Sequence, residues 1–186
     1  MTLHRPFFLA LFIIFCNSDL LSQEDLIYTK GFTKTLEYHN LEFFKPTEQW
    51  LRPTGLTEDE FFEYDMVLRS EDDYEMRIMI REEPKGIVRP PFVEVNRILA
   101  SAATNELFGS IVVTSLDENY ANVHYGSEWG IYADFYPKTT LAQGFKKGHL
   151  ISFYTSGRAL VTCLIFYNDR LDPYFRSAIR FVGRVN

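Results

Sequence analysis

Residues 158–167 (RALVTCLIFY) set the strongest constraint on the fold, because a strand built from them is apolar on both sides. Leu160, Leu164 and Phe166 fall on one side and Val161, Cys163 and Ile165 on the other. The stretch 150–155 repeats this, with Ile151 and Phe153 on one side and Leu150 and Tyr154 on the other. Ser156-Gly157 between them predicts a two-residue hairpin turn in which Gly takes positive φ. A strand that is apolar on both faces must be covered on both faces, so the sheet needs a second layer.

The rest of the chain supplies the sheet and its cover. Residues 61–69 and 74–81 read as strands joined through Ser70-Glu71-Asp72-Asp73. In the second, Met76, Ile78 and Ile80 alternate with Glu75, Arg77, Met79 and Arg81, the period-2 mark of a half-buried strand. Residues 41–44 read as a short strand stopped by Lys45-Pro46, and Trp50 precedes a turn at Pro53-Thr54-Gly55. After a proline-rich loop over 84–91, Phe92, Val95, Leu99, Ala102, Ala103 and Leu107 recur at helical spacing. That predicts a helix over 92–107, with Gly109 as its stop.

Residues 111–116 read as a strand. Residues 120–125 and 129–136 are expected to form a hairpin around Gly126-Ser127-Glu128. A three-residue loop pairs Tyr125 with Trp129, Val123 with Ile131 and Ala121 with Ala133, all on one apolar face. The other face collects Tyr120, Asn122, His124, Tyr132, Asp134 and Tyr136. At the C-terminus, Asp172 is placed to cap a helix with Pro173 in its first turn. Phe175, Ala178, Ile179 and Val182 then continue at i, i+3, i+4 and i+7, and Gly183 ends it. The order predicts an α+β fold: a mainly antiparallel sheet of about seven or eight strands with helices packed on both faces, an α/β/α sandwich. One domain over residues 23–186 is expected, since repeats and low-complexity linkers are missing from the sequence.

The N-terminus reads as an export signal over residues 1–22. His4 and Arg5 precede an apolar run of ten residues, Pro6 to Phe15, too short to span a bilayer and right for a signal core. Cleavage after Ser18 fits the rule of small residues at −3 and −1, and cleavage after Ser22, with Leu20 at −3, fits it less well. A lipidated cysteine follows a small residue, whereas Phe15 precedes Cys16, so Cys16 is expected to leave with the signal. The mature protein is then periplasmic or secreted, with no integral membrane span. Cutting after Ser22 leaves 164 of the 186 residues and a single thiol, Cys163, inside an apolar strand where core packing is expected. That thiol has no partner to pair with, and no disulfide framework holds the fold.

Charge narrows the partners. Nineteen Lys and Arg stand against 25 Asp and Glu, a net of −6, which argues against nucleic acid and against anionic membrane surfaces. No G-x-S-x-G, H-E-x-x-H, C-x-x-C, P-loop or G-x-G-x-x-G sequence is present. His39, His124 and His149 are widely spaced, and neither a metal nor a cofactor is expected. The acidic stretches Glu58-Asp59-Glu60 with Glu63 and Asp65, and Glu71-Asp72-Asp73 with Glu75, lack calcium-loop spacing and read as a solvated face.

Aromatic residues are the compositional excess: 17 Phe, 11 Tyr and 2 Trp, 16% of the chain. Tyr120, His124, Tyr132, Asp134 and Tyr136 form the candidate binding site, provided that no helix covers them. Tyrosine buries area at low entropy cost while its hydroxyl gives direction. Two functions follow: a non-enzymatic binding domain for a protein or small ligand, or a small hydrolase or isomerase with His124, Asp134 and Tyr132 as acid–base groups. The sequence leaves the oligomeric state open.

Three features resemble the PsbP/Mog/DcrB-like family. They are Leu41-Glu42-Phe43-Phe44-Lys45-Pro46 followed by Trp50, the mid-chain helix over residues 92–107 between two hairpin groups, and the closing hairpin over residues 148–167 followed by a helix ending near Ile179-Arg180-Phe181. The resemblance is one of layout across nearly the whole mature chain. It implies a non-catalytic accessory or binding role and transfers no site residues.

Overall fold

The computed structural model describes residues 30–44, 52–55, 58–70, 74–82, 91–104, 111–171 and 173–182. The signal, Cys16, Trp50, residues 71–73, Leu107, Gly109, Asp172 and Gly183 lie outside them. The fold is α+β. Among the described residues, three α-helices, α1 (Lys30–His39), α2 (Pro91–Ala102) and α3 (Glu118–Tyr125), accompany nine strands. The strands are β1 (Leu41–Phe43), β2 (Arg52–Pro53), β3 (Met66–Arg69), β4 (Tyr74–Glu82), β5 (Ile111–Ser115), β6 (Trp129–Phe135), β7 (Lys147–Thr155), β8 (Ala159–Tyr167) and β9 (Ile179–Phe181).

The main sheet is antiparallel throughout, in the order β2-β3-β4-β8-β7-β6-β5. Six of these strands have four or more residues, and β2 adds a two-residue edge. β1 and β9 form a separate two-stranded sheet. Of the strands at the centre, β7 and β8 have sequences apolar on both sides, whereas β4 carries Glu75, Arg77 and Arg81 on one side and is nevertheless buried from Glu75 to Ile80, not half-buried as its alternation predicts. Alternate residues accordingly enter two different apolar clusters. Met76, Ile78, Ile151, Phe153, Cys163 and Ile165 join Phe32 of α1, Tyr125 of α3 and Phe175, Ile179 and Phe181 near the C-terminus. Met79, Leu150, Leu164 and Phe166 join Val95, Ile98, Leu99 and Ala102 of α2. Burial drives both: each cluster removes from water the apolar surface that one side of the sheet presents. Cys163 lies in the first cluster, as expected, and burial pushes its thiol up to about 12.

Several elements differ from the sequence reading. Residues 118–125 are a helix, not a strand. Asp117 caps it by accepting from the Asn119 and Tyr120 amides, and Gly126 ends it in the left-handed region at φ 61°. A Cβ at Gly126 would stand 2.7 Å from the Phe181 carbonyl oxygen, so the stop also needs glycine for space. The apolar alternation of Ala121, Val123 and Tyr125 imitated a strand, but Ala121 and Tyr125 are buried as an i, i+4 pair while Val123 is exposed. The expected hairpin register over residues 120–136 is therefore void, and β6 pairs with β5 and β7 instead.

The C-terminal helix shrinks to one 3-10 turn, Pro173–Ser177, followed by β9. Ile179 and Phe181 are buried with Arg180 exposed between them, and pairing with β1 satisfies the backbone that a longer helix would have satisfied internally. α2 stops at Ala102 because the chain turns extended, with Ala103 bridging Pro137 and the Thr104 amide donating to the Tyr136 carbonyl at 2.8 Å. Only Met66–Arg69 of the stretch 61–69 is strand; ahead of it, the Asp59 carboxylate accepts from the Phe61 and Phe62 amides at 2.7 and 2.9 Å and folds a turn. The β7–β8 loop has three residues, 156–158, since Thr155 pairs with Ala159. α1 was not foreseen: its buried stripe is narrow, Phe32 and His39 with Leu36 half-buried.

Candidate functional site

The β6–β7 register puts Asp134 opposite His149. The His149 Nδ1 lies 2.6 Å from the Asp134 Oδ1. A carboxylate only accepts, so Nδ1 carries the proton and Nε2 presents a lone pair. The His149 side chain is 0% exposed while Asp134 is 50% exposed. Burial lowers the His149 pKa from its ordinary 6.5, against the opposing hydrogen bond and charge of Asp134. The imidazole is therefore neutral at pH 7. Its Nε2 is buried with no hydrogen-bond partner among the described residues.

The tyrosines brace this pair. The Tyr132 ring stacks on His149 with centroids 5.7 Å apart, and the Arg176 guanidinium stands 5.6 Å from the Tyr132 ring centre. Arg176 is held by its own backbone: its carbonyl accepts from the Tyr125 hydroxyl at 2.6 Å. Tyr167, the next inward neighbour on β8, has a phenol raised first by burial and then by the Asp134 charge. Tyr136 follows β6 and is exposed. Of the five expected site residues, Tyr132 and Asp134 share one face of β6, and Tyr136 continues from its end. Tyr120 and His124 sit on α3, exposed, with their ring centroids 4.0 Å apart and the planes tilted by 33°. Asp134 is bonded to His149, not to His124 as the acid–base reading required.

His149 and Arg176 were missed. His149 became visible only through the β6–β7 pairing, whose 11-residue connection leaves the register free. Arg176 falls in the stretch expected to be a C-terminal helix, where a 3-10 turn stands instead. The cap Asp117 and the stop Gly126 were the legible signal that residues 118–125 are a helix and not the partner of β6.

A second buried polar group lies on the opposite face, around Arg77 of β4. Its guanidinium Nε donates to Glu75 at 2.7 Å. Nη1 donates to Asp59 at 2.7 Å and to the Tyr64 hydroxyl at 3.0 Å. Nη2 meets Glu75 at 2.5 Å and the Leu141 carbonyl at 2.6 Å. The Tyr64 hydroxyl in turn donates to Asp59. All five guanidinium protons are used, and the ring of Phe166 lies 5.0 Å away. This corrects the reading of a solvated face for Asp59, Asp65 and Glu75. Asp59 and Glu75 are paired with Arg77, and Asp65 accepts the Ile80 amide at 2.7 Å. Glu58, Glu60 and Glu63 are exposed and rim a cleft of about 390 Å³ floored by Met79, Ile98 and Leu160.

Among the described residues, no group of three or more His, Cys, Asp or Glu is placed to hold a metal ion, and no helix is long and apolar enough to cross a membrane. No protein-family model matches this chain, and none of the curated proteins compared with it is similar to it.

Proposed function

We propose that this chain is an exported, non-enzymatic accessory or binding domain of the cell envelope, of the PsbP/Mog/DcrB-like kind. It engages a protein or small ligand at Tyr132, Asp134 and Tyr136. One observation carries the reading: Asp134 and Tyr136 face solvent beside a Tyr132 ring held between His149 and Arg176. A surface whose rotamers are locked before binding loses little entropy on contact, and an exposed carboxylate beside aromatic rings favours a partner that brings hydrogen-bond donors or positive charge. The acid–base alternative is less well supported. The imidazole nitrogen that a base would use, Nε2 of His149, is closed to solvent, and no described hydroxyl or thiol bonds to it. The division of the core between two faces supports the three-layer α/β/α reading.

The test uses a photo-cross-linking residue at Tyr136 in cells that export the protein. Cross-links to one partner that vanish in Tyr132→Ala, with the melting curve kept, support the reading. Equal cross-linking in both overturns it. N-terminal sequencing of the exported protein checks the signal: a start at residue 19 or 23 is expected.

A further inference from the structure

The two edges of the main sheet are built differently. β2 closes one edge with two residues, an arginine and a proline. β5 closes the other with five, Ile-Val-Val-Thr-Ser, none charged and none proline. Shortness, charge and proline are the devices that keep an edge from pairing with another chain. β2 has all three and β5 has none. Ile111, Val112 and Val113 are 40%, 59% and 50% exposed.

The backbone of β5 tells which groups are free. The Leu116 amide donates to the Gly130 carbonyl at 2.9 Å, in the same register that pairs Ile111 with Phe135. Antiparallel bonding alternates, so Val112 and Thr114 turn their N–H and C=O groups toward β6. Ile111, Val113 and Ser115 turn theirs outward, and no described backbone group bonds to them.

We infer that β5 is a dimer edge, at which a second copy of this chain pairs antiparallel about a two-fold axis through Val113. In that register Val113 meets its own copy and Ile111 meets Ser115 of the second copy, so every outward N–H faces an outward carbonyl. Val112 faces Thr114, which gives β-branched pairs across the seam. Charge favours this strip as the meeting place. Each chain carries a net of −6, so two copies repel over most of their surface, and β5 lets them touch without opposing like charges. Closure favours two copies and no more: the contact is self-complementary, and the blunted β2 edges left at the ends do not continue the sheet.

The experiment is sedimentation of the full protein across a concentration series, at low and at moderate salt. A dimer whose share rises with concentration, and rises further as salt screens the net charge, is expected. Val113→Lys places two ammonium groups together at the axis and leaves a monomer with an unchanged circular-dichroism spectrum. Val123→Lys, at an exposed position on α3, leaves the dimer intact. Hydrogen exchange on the unmodified protein decides the matter even if Val113→Lys misfolds. The amides of Ile111, Val113 and Ser115 slow with rising concentration, whereas those of Val112 and Thr114 are slow throughout. A wild-type monomer at every concentration, a dimer that survives Val113→Lys, or exchange at Ile111, Val113 and Ser115 that ignores concentration overturns the inference.

Discussion

Two buried polar groups sit on opposite faces of the same sheet and end in opposite states. Around Arg77 every donor has an acceptor, and the cluster ties the 58–65 segment and the Leu141 carbonyl to β4. Around His149 one nitrogen is satisfied by Asp134 and the other has no partner among the described residues. A saturated buried network locks a single arrangement, and removing any member strands the rest in low dielectric. An unsaturated one gives up stability, and in a native protein such a group calls for an explanation beyond packing. The contrast separates a structural cluster from a functional candidate, although both consist of charged side chains beside aromatic rings.

Substitutions that break this contrast are ordered by expected cost. Arg77→Met removes the hub, leaves Asp59 without its counter-charge and leaves Glu75 with Arg69 alone at 3.5 Å, so unfolding free energy from urea titration falls by roughly 3–5 kcal/mol. Tyr64→Phe removes one hydroxyl that donates to Asp59 and accepts from Arg77, and costs about 1–2 kcal/mol by the same measurement. His149→Leu costs less, within about 1 kcal/mol at pH 7, because it deletes an unsatisfied nitrogen while half-exposed Asp134 is rehydrated. A loss as large as that of Arg77→Met would erase the distinction between the two clusters.

The pH dependence sharpens it. The folded-state pKa of His149 lies below 6.5, so below 6.5 the unfolded chain binds a proton that the folded chain does not. Stability from this residue is full above pH 6.5 and declines as pH falls toward the folded pKa. The difference between wild type and His149→Leu, followed by thermal melts from pH 7.5 to 5, is expected to shift in favour of the variant on the acid side. Smallest of all is Tyr136→Ala at an exposed position, which changes unfolding free energy in the same urea titration by no more than about 0.5 kcal/mol. Cys163 reports on the same core: with its thiol pushed up to about 12, it resists alkylation in the folded protein and reacts only after denaturation.

Parts of this protein were legible in the residues alone. The β7–β8 hairpin, the period-2 pattern of β4, the core position of Cys163 and the helix that begins at Pro91 all follow from short-range pattern and from apolar residues too numerous for one face. The inward and outward sides of β6 were also legible, since Ile131 and Ala133 are buried while Tyr132 and Asp134 lie on the other side. Helix α3 was misread although its cap and its glycine stop were both present, because three alternating apolar residues imitate a strand over so short a span.

Only tertiary structure decided what those sides meet. A strand's alternation determines which side chains share a face and says nothing about which strand lies beside it. Residues 136–146 leave the β6–β7 register free, so the meeting of Asp134 with His149 depends on packing at long range. β9 forms only because β1 offers it a partner, and Arg77 becomes the hub only once residues 58–65 fold over it. Local pattern thus determined the elements and their apolar sides. The polar contacts, on which function depends, came from neighbours remote in sequence, because hydrogen bonds are directional and require positions that only the assembled sheet supplies.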